Sequence, residues 1–463
     1  MRDDLSNADR DFEGLRKRLH ERIPGGAHTY SRGDDQFPLI APPLLSHGKD
    51  AYVWDTQGNR YLDYGMALRS VTIGFADERV NAAAIREIER GVNMTRASLT
   101  ELRAAEMLCD IVDGADMVKF GKNGSNVTTA AVKVARSYTG RRYVCIPRQH
   151  PFFSYDDWFI GTTAIKKGVL MQATASTLVF EYGDMASLES LFAQYPGEIA
   201  AVMLEPATQL TPCGHPACMA QWPEKPCSDN REHGANFLQK IRDLTKREGA
   251  LMILDEMITG FRWDLKGAQH FFGVTPDMTT FGKAMANGFS LAALVGKSEY
   301  MEVGAINRPG MERTFLLSST HGAEMPALGA FMEATRINRD ENVTGHLWAF
   351  GKKFVAMWNE VTQRHDMSDY VQLDGPPIAL NYLIRGVDGE LSLPMRTLFG
   401  QEMLKGGVLL AGLSFAQAHG DAELELTARA LDKTLPVCKA ALDRGVEAFL
   451  VGPAVKPVFR QHN

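Results

Sequence analysis

Between residues 117 and 295, short apolar runs alternate with longer segments of helical periodicity. The runs have the length and apolar content of buried strands, at 117–120, 143–146, 200–204, 251–254 and 292–295. Helical spacing lies between several of them, for example over 128–138 and 237–248. Because parallel strands need crossover connections, usually helices, this alternation predicts an α/β fold with a largely parallel sheet.

The segments on either side of this region have different sequence patterns. Two β-rich runs, 51–55 and 61–64, surround a Gly-Asn turn and predict a hairpin. After about residue 330 helical patterns dominate, up to a closing helix over 423–445. We therefore expect a large domain with a smaller α+β domain built from both termini. The predicted boundaries are 1–77 for an N-terminal arm and part of the small domain, 78–335 for the large domain and 336–463 for the C-terminal small domain.

Composition excludes several classes of protein. Lys and Arg number 50 against 56 Asp and Glu, so no strong basic field exists to attract nucleic acid or an anionic membrane. The first 22 residues are charged throughout, unlike a secretion signal, and no apolar run approaches the roughly 18 residues of a membrane span. Six cysteines in 463 residues are no disulfide framework. We expect a soluble, cytoplasmic protein.

The apolar run 251–254 is followed by the acidic pair Asp255 and Glu256. Ligands of parallel α/β sheets bind beyond the carboxyl ends of the strands, where a carboxylate can hold a cationic group. A helix N-cap is the alternative interpretation.

Lys283 and the Gly124-Ser125 turn are two further candidates. Lys283 follows Asp255 by 28 residues, and the apolar residues around it favour a desolvated, nucleophilic amine over the alternative of a surface lysine. Gly124 and Ser125 connect a strand to a helix, and the unpaired amides of the first helical turn suit an anion such as phosphate. A generic turn is the alternative there.

The ordered set of motifs resembles the class III aminotransferases, fold-type I enzymes that use pyridoxal 5′-phosphate (PLP), in the branch of glutamate-1-semialdehyde 2,1-aminomutase. The matching segments are Asp-Glu-Met-Ile-Thr-Gly-Phe-Arg at 255–262, Phe-Gly-Lys at 281–283, Asn-Gly-Ser at 123–125 with Ala-Arg-Ser-Tyr-Thr-Gly at 135–140, Ile-Pro-Gly-Gly at 23–26 and Leu-Glu-Pro at 204–206. The resemblance implies a large PLP-binding domain, with a mostly parallel central sheet flanked by helices, and a smaller α+β domain.

The resemblance also implies roles for individual residues. Lys283 would hold PLP as an internal aldimine and then move a proton between Cα and the cofactor's C4′. Asp255 would pair with the ring nitrogen and keep it protonated. Gly124 and Ser125 would bind the phosphate, beside Asn126, which stands where the family carries an acidic residue.

Three more positions complete the implied cofactor site. Met257 would lie under the ring, and Glu205 would lie at a strand end near the cofactor. Thr320 corresponds to a threonine that reaches the neighbouring subunit's phosphate, so the resemblance implies a homodimer.

The chain departs from the family pattern at Gln149, where many relatives carry a tyrosine that stacks on PLP. His150 fits the family's histidine and is a candidate substrate contact. Phe152 or Phe153 can supply the stacking face instead, unless both belong to the core. Arg32 falls where the aminomutase binds the substrate carboxylate, which a guanidinium suits, although a solvated arginine is equally compatible with the sequence.

Cys213, His215, Cys218 and Cys227 lie within 15 residues of one another. Four such ligands can bind zinc, but their spacing is not a standard zinc pattern and reduced thiols are the alternative. We assign no metal site from the sequence.

The resulting hypothesis is a PLP-dependent aminotransferase that moves an amino group from a small-molecule donor to a carbonyl acceptor through pyridoxamine phosphate. The alternative is intramolecular transfer of the glutamate-1-semialdehyde 2,1-aminomutase type. The context of Arg32 and the change at Gln149 favour the aminotransferase. A non-catalytic PLP-fold protein or a zinc-stabilised binding protein is disfavoured, because Lys283 and Asp255 are both present.

Overall fold

The computed structural model describes residues 5–229 and 234–462, which form two compact units. The first unit takes in the chain up to Arg69, Ile73–Asp77 and His346–Arg460. The second unit takes in Ser70–Thr72, Glu78–Gly345 and the end of the chain. The predicted domain boundary at position 335 lies inside a helix that runs from Met325 to Asp340. The chain passes from the second unit to the first only after Gly345.

The strands of the described residues are, in chain order, β1 (Leu45–Lys49), β2 (Tyr52–Asp55), β3 (Arg60–Asp63), β4 (Met117–Gly121), β5 (Tyr143–Pro147), β6 (Thr177–Phe180), β7 (Ile199–Leu204), β8 (Leu251–Glu256), β9 (Met278–Phe281), β10 (Ala292–Gly296), β11 (Val371–Asp374), β12 (Asn381–Ile384) and β13 (Val408–Leu409).

The helices are α1 (Phe12–Arg22), α2 (Met66–Arg69), α3 (Glu78–Glu89), α4 (Leu99–Ile111), α5 (Gly124–Thr139), α6 (Asp157–Ile160), α7 (Met171–Thr174), α8 (Met185–Gln194), α9 (Pro216–Met219), α10 (Phe237–Glu248), α11 (Ala268–Phe271), α12 (Ser298–Met301), α13 (Met325–Asp340), α14 (Val343–Arg364), α15 (Leu393–Lys405) and α16 (Asp421–Arg444). The single turn α2 has left-handed backbone angles throughout. No helix among these described residues is long and apolar enough to cross a bilayer.

The second unit is built on a seven-stranded sheet with the order β4-β10-β9-β8-β7-β5-β6. Its neighbours pair in parallel except at β10, which is antiparallel to both β4 and β9. The predicted α/β fold with a mostly parallel sheet is confirmed. The sequence did not indicate β6 and β9, which also belong to this sheet.

The core of this unit lies on both faces of the sheet, because successive side chains of a strand point to opposite faces. On β10, Ala292 and Leu294 pack in one apolar cluster together with α5. Ala293 and Val295 pack in a second cluster that includes residues of α4 and α13. Helices therefore cover both faces, as parallel sheets require.

The first unit joins segments from the two ends of the chain. The predicted hairpin is present as β2 and β3, and the C-terminal strand β13 pairs in parallel with β3. A buried hydrogen bond of 2.7 Å joins the hydroxyl groups of Tyr64 and Thr427, which are far apart in sequence. The antiparallel pair β11–β12 and the helices α14, α15 and α16 complete an α+β arrangement.

Candidate active site

The carboxyl ends of the parallel strands meet at one edge of the large sheet. β4 and β9 share this direction because both are antiparallel to β10. The candidate residues that follow or end these strands are Gly124 and Ser125 after β4, His150 after β5, Glu205 after β7, Asp255 in β8 and Lys283 after β9. The topology therefore brings most of the predicted site residues to the same edge, where ligands of such sheets bind.

The helix α5 presents its N-terminus at this edge. Asn123 caps it, since the Asn123 side chain accepts the Asn126 N–H at 3.0 Å. Ser125 is buried, and its hydroxyl accepts the N–H of Tyr155 at 3.0 Å, while the Asn126 side-chain amide donates to the Tyr155 hydroxyl at 3.2 Å. No sequence motif selects Tyr155. The helix dipole and the amides of Gly124 and Ser125, which begin the first turn, make this end suitable for an anion.

Asp255 lies at the end of β8 and is 2% exposed. Its Oδ1 accepts the N–H of Met257 and the hydroxyl of Thr280, each at 3.0 Å. Burial raises the pKa of Asp255 to about 6, although the Met257 N–H and the charge of Lys283 act in the opposite direction. A buried carboxyl group with neutral hydrogen-bond donors is stabilised as an anion by an added cation.

Glu256 is buried beside Asp255 but has different surroundings. Its carboxylate accepts the Thr259 hydroxyl at 2.6 Å and the N–H groups of Ala268 and Gln269 at 2.8 and 2.6 Å. It thereby anchors the loop after β8 to the start of α11. The second acid of the pair therefore has a structural role. Asp255 does not cap a helix, which was the alternative interpretation, because the helix that follows begins only at Ala268.

Lys283 begins a one-turn 3-10 helix directly after β9 and is partly buried. Its φ of +40° lies in the left-handed region, which a long side chain rarely adopts. Its charge acts on the pKa of Asp255, so the two groups lie within electrostatic range. Strained backbone of this kind is concentrated at functional sites.

Met257 contacts both glycine positions of this edge. A Cβ atom added at Gly124 would lie 3.1 Å from Met257 Sδ, and one added at Gly282 would lie 2.6 Å from it. The N–H of Met257 also donates to Asp255. The start of α5, the carboxyl group of Asp255 and the residue before Lys283 therefore all lie next to Met257.

His150 is 3% exposed and packs against Phe153 and Tyr182. Its Nδ1 accepts the N–H of Glu205, itself buried, at 3.0 Å, and burial lowers the pKa of His150 to about 3. The ring is therefore neutral and carries its proton on Nε2. Within residues 5–229 and 234–462, this Nε2 has no hydrogen-bond partner, so it remains available to donate to a ligand.

The aromatic residues after His150 differ in their surroundings. Phe153 is 2% exposed and belongs to the core. Phe152 is 46% exposed and meets Phe159 edge to face, with the ring centroids 5.8 Å apart. Gln149 donates to Glu181 and accepts the Tyr182 N–H at 2.9 Å, so its side chain is already engaged.

Two predicted residues have surroundings of their own in the described structure. Thr320 is exposed, and its carbonyl oxygen accepts the Asn93 side-chain amide at 2.7 Å. Arg32 belongs to the first unit, where it ends the short helix Tyr30–Arg32, is exposed and lines a cavity of about 730 Å³. The contacts above do not include either residue.

Comparison with known proteins identifies the family. The aminotransferase class-III family matches residues 30–211 and 230–409, most of the chain. The chain belongs to the class-III aminotransferases. Members of this family are PLP-dependent, so the predictions of a PLP-dependent enzyme and of this cofactor are confirmed.

Individual relatives agree with this assignment. The chain is 28% identical over 424 residues to the 3-aminobutyryl-CoA aminotransferase of Cloacimonas acidaminovorans, covering 91% of this chain and 95% of that protein. It is 27% identical over 441 residues to the glutamate-1-semialdehyde 2,1-aminomutase of Syntrophomonas wolfei, covering 90% and 96%.

The fold of a solved PLP-bound structure is also similar. The FumI protein of Sphingopyxis sp. MTA144, in its PLP internal aldimine form, superposes with a TM-score of 0.80 at 23% identity, covering 94% of this chain and 97% of that chain. The fold-type I architecture is confirmed.

The residues at the sheet edge fit PLP in chemical terms. The N-terminus of α5 suits a phosphate group. Asp255 has a raised pKa and neutral hydrogen-bond donors, which suits a protonated ring nitrogen. Lys283 is the amine in electrostatic range of that carboxyl group.

Proposed function

We propose that this enzyme transfers an amino group from a small-molecule donor to a carbonyl acceptor, with Lys283 and Asp255 as its catalytic residues. The observation that supports this assignment best is the position of Met257. Its side chain contacts Gly124 and Gly282, and its N–H donates to Asp255. These contacts support one site formed by a helix end suited to an anion, a buried acid and the chain segment that carries an amine.

When bound, PLP supplies an electron sink for the charge left on the donor's Cα after its proton is removed. The amine of Lys283 would take that proton from Cα and deliver it to the cofactor's C4′, and would move a proton in the reverse direction once the acceptor is bound, acting as general base and then as general acid. Asp255 would hold a proton on the ring nitrogen through a charge-assisted hydrogen bond, which is stronger at a buried carboxyl group than in water.

The phosphate group would be held by the amides of Gly124 and Ser125, the Ser125 hydroxyl and, less directly, the neutral side chain of Asn126. Phe152 offers the exposed ring face that stacking requires, since Phe153 is in the core. The Nε2–H of His150 would donate to an oxygen atom of the cofactor or the substrate, and Glu205 fixes His150 through its backbone N–H.

We also propose that two copies of the chain form the enzyme, with Thr320 of the partner subunit donating to the phosphate. Thr320 is exposed, and the segment that leads to it exposes Ile306 and Phe315, whose exposed fractions are 81% and 74%. Burial of these apolar side chains would favour dimerisation.

The low cysteine content supports a cytoplasmic location.

Arg32 is the proposed group for a substrate carboxylate, since its planar guanidinium can bind both carboxylate oxygens. We favour intermolecular transfer over the aminomutase reaction because Gln149 replaces the stacking tyrosine and is engaged with Glu181 and Tyr182.

Borohydride trapping tests the central assignment. Reduction of the purified enzyme should fix the cofactor covalently on the peptide that contains Lys283, and the enzyme should lose its visible absorbance band. Lys240→Ala, which changes an exposed lysine of α10, is the matched control and should trap normally. A wild-type enzyme that binds no cofactor, or label on another lysine, would refute the assignment.

Titration with single amino donors separates the two reactions. An aminotransferase should convert its cofactor to the aminated form with one or more ordinary amino acids or amines, in the absence of an acceptor. If only diamino or amino-aldehyde compounds convert it, the aminomutase reaction is correct.

A further inference from the structure

The three cysteines Cys213, Cys218 and Cys227 lie in a part of the chain that the family pattern does not include. The class-III family matches residues up to 211 and again from 230, so it passes over 212–229. This segment connects the carboxyl end of β7 to the beginning of α10. It is therefore an insertion among the connections at the same edge of the sheet as the active site, and the family architecture does not account for its cysteines.

The structure brings the three sulfur atoms together. All three Sγ atoms lie within 4.8 Å of one another, and the three side chains are 7%, 0% and 7% exposed. Zinc–sulfur bonds of about 2.3 Å in tetrahedral geometry place sulfur atoms about 3.8 Å apart. The observed cluster needs only a small contraction to reach that spacing.

Hydrogen-bond donors of the backbone and of a nearby side chain point to two of the sulfur atoms. The backbone N–H of His215 donates to Cys213, and the side-chain amide of Asn236 lies 3.7 Å from Cys227 Sγ. Asn236 also caps α10 and donates to the carbonyl oxygen of Phe272, so its position is fixed. Donors aimed at sulfur favour the thiolate, which is the form that binds metals.

A divalent cation would offset the negative charges of three thiolates held this close together. The alternative, three buried thiols that pack as small apolar groups, explains their burial but not their convergence from positions separated along an insertion.

We propose that Cys213, Cys218 and Cys227 bind one zinc ion that stabilises the insertion 212–229. The three thiols lose their protons to solvent on binding, and a nitrogen ligand or water fills the fourth position. The exposed His215 is a candidate nitrogen ligand in the described part of the segment. This site is separate from the amino-transfer chemistry and does not depend on the assignment of Lys283.

Metal analysis of the PLP-loaded enzyme from zinc-supplemented culture tests the proposal. We expect about one zinc ion per chain, lost on substitution Cys218→Ser or Cys227→Ser. Cys109→Ser is the matched control, because Cys109 is a free cysteine on α4, away from the insertion, and should leave the zinc content unchanged. The PLP absorbance of each variant reports whether it has folded.

Two measurements on the wild-type enzyme keep the test valid if the serine variants fail to fold. Added cobalt should give thiolate-to-metal absorbance bands after the zinc is removed, and the three cysteines should resist alkylation until a chelator is added. Failure of the metal-free enzyme to bind zinc or cobalt would overturn the proposal. So would a mass two units lower in the peptides of the insertion, which would indicate a disulfide.

Discussion

Replacing Asp255 by Asn separates the charge of this side chain from its shape. The amide oxygen of Asn can still accept the Met257 N–H and the Thr280 hydroxyl, the two hydrogen bonds that Oδ1 of Asp255 accepts. The substitution therefore removes a buried negative charge with little change in packing. We expect opposite effects on the stability of the cofactor-free protein and on activity.

The effect on stability follows from the pKa of Asp255, which burial raises from 3.8 to about 6. A carboxyl group with a raised pKa binds its proton more tightly in the folded chain than in the unfolded chain. Its ionisation therefore lowers the free energy of unfolding as pH rises from about 4 to about 6. A difference of roughly two pKa units corresponds to about 3 kcal/mol. Without cofactor, D255N should be more stable than the wild type by up to this amount at pH 8, and by almost nothing near pH 4.

The effect on activity has the opposite sign. With the cofactor bound, Asp255 is the proposed partner of a protonated ring nitrogen, and loss of one member of a buried ion pair costs about 3 to 5 kcal/mol. We expect kcat to fall by about 10² to 10⁴-fold. Urea denaturation of cofactor-free protein at several pH values and steady-state kinetics measure the two effects.

Asp113→Asn provides a control with the opposite pH trend. Partial burial raises the pKa of Asp113, but hydrogen bonds from His270 and Lys266 outweigh it and lower the pKa overall. Its charge therefore stabilises the fold at neutral pH, by at most about 1 kcal/mol for a pair near the surface. D113N should lose this small amount above the pKa and keep full activity. If cofactor-free D255N is less stable than the wild type at pH 8, or retains kcat within about tenfold, our account of Asp255 is wrong.

Three further substitutions test other parts of the site. Lys283→Ala should lower kcat by about 10² to 10⁴-fold, the usual contribution of general acid–base catalysis. It should also abolish borohydride trapping. Retained trapping would show that Lys283 does not bind the cofactor. Thr320→Val should raise the Kd for PLP about tenfold or more, because a hydrogen bond to a charged group is lost. Light scattering should show that the dimer is intact. An unchanged Kd would exclude Thr320 from the phosphate site. Arg32→Lys should raise KM about tenfold for carboxylate-bearing donors alone, because lysine cannot bind both oxygens, and an equal rise for donors without a carboxylate would contradict this role.

The predictable part of the fold is the part with plain apolar periodicity. The runs 143–146 and 251–254 correspond to strands β5 and β8, and the helical pattern 237–248 coincides with α10. Strand β9 was missed because Thr279 and Thr280 interrupt its apolar character. In the structure both are buried, and their hydroxyls donate to Gln269 at 2.6 Å and Asp255 at 3.0 Å. A polar residue in a buried strand is recognisable only when its partner in the fold is known.

The orientation of the side chains in the site could not be predicted from the sequence. The family motif selects His150, but its orientation depends on the N–H of Glu205, which comes from a different strand end. Tyr155 reaches Ser125 and Asn126 across a loop that carries no motif. The same limitation applies to the convergence of Cys213, Cys218 and Cys227, because spacing along an irregular segment does not determine distance in space.

The backbone of Lys283 supplies the argument against a surface lysine. A left-handed φ at a residue with a long side chain costs on the order of 1 to 3 kcal/mol and persists only where the surroundings fix it. The three residues after it, Ala284, Met285 and Ala286, are almost completely buried and belong to the apolar cluster on one face of the sheet. Their packing holds the turn in place. A solvated lysine would relax to an ordinary conformation or be replaced by glycine without loss. A lysine in this conformation, within electrostatic range of a buried acid, is what the proposed role of Lys283 requires.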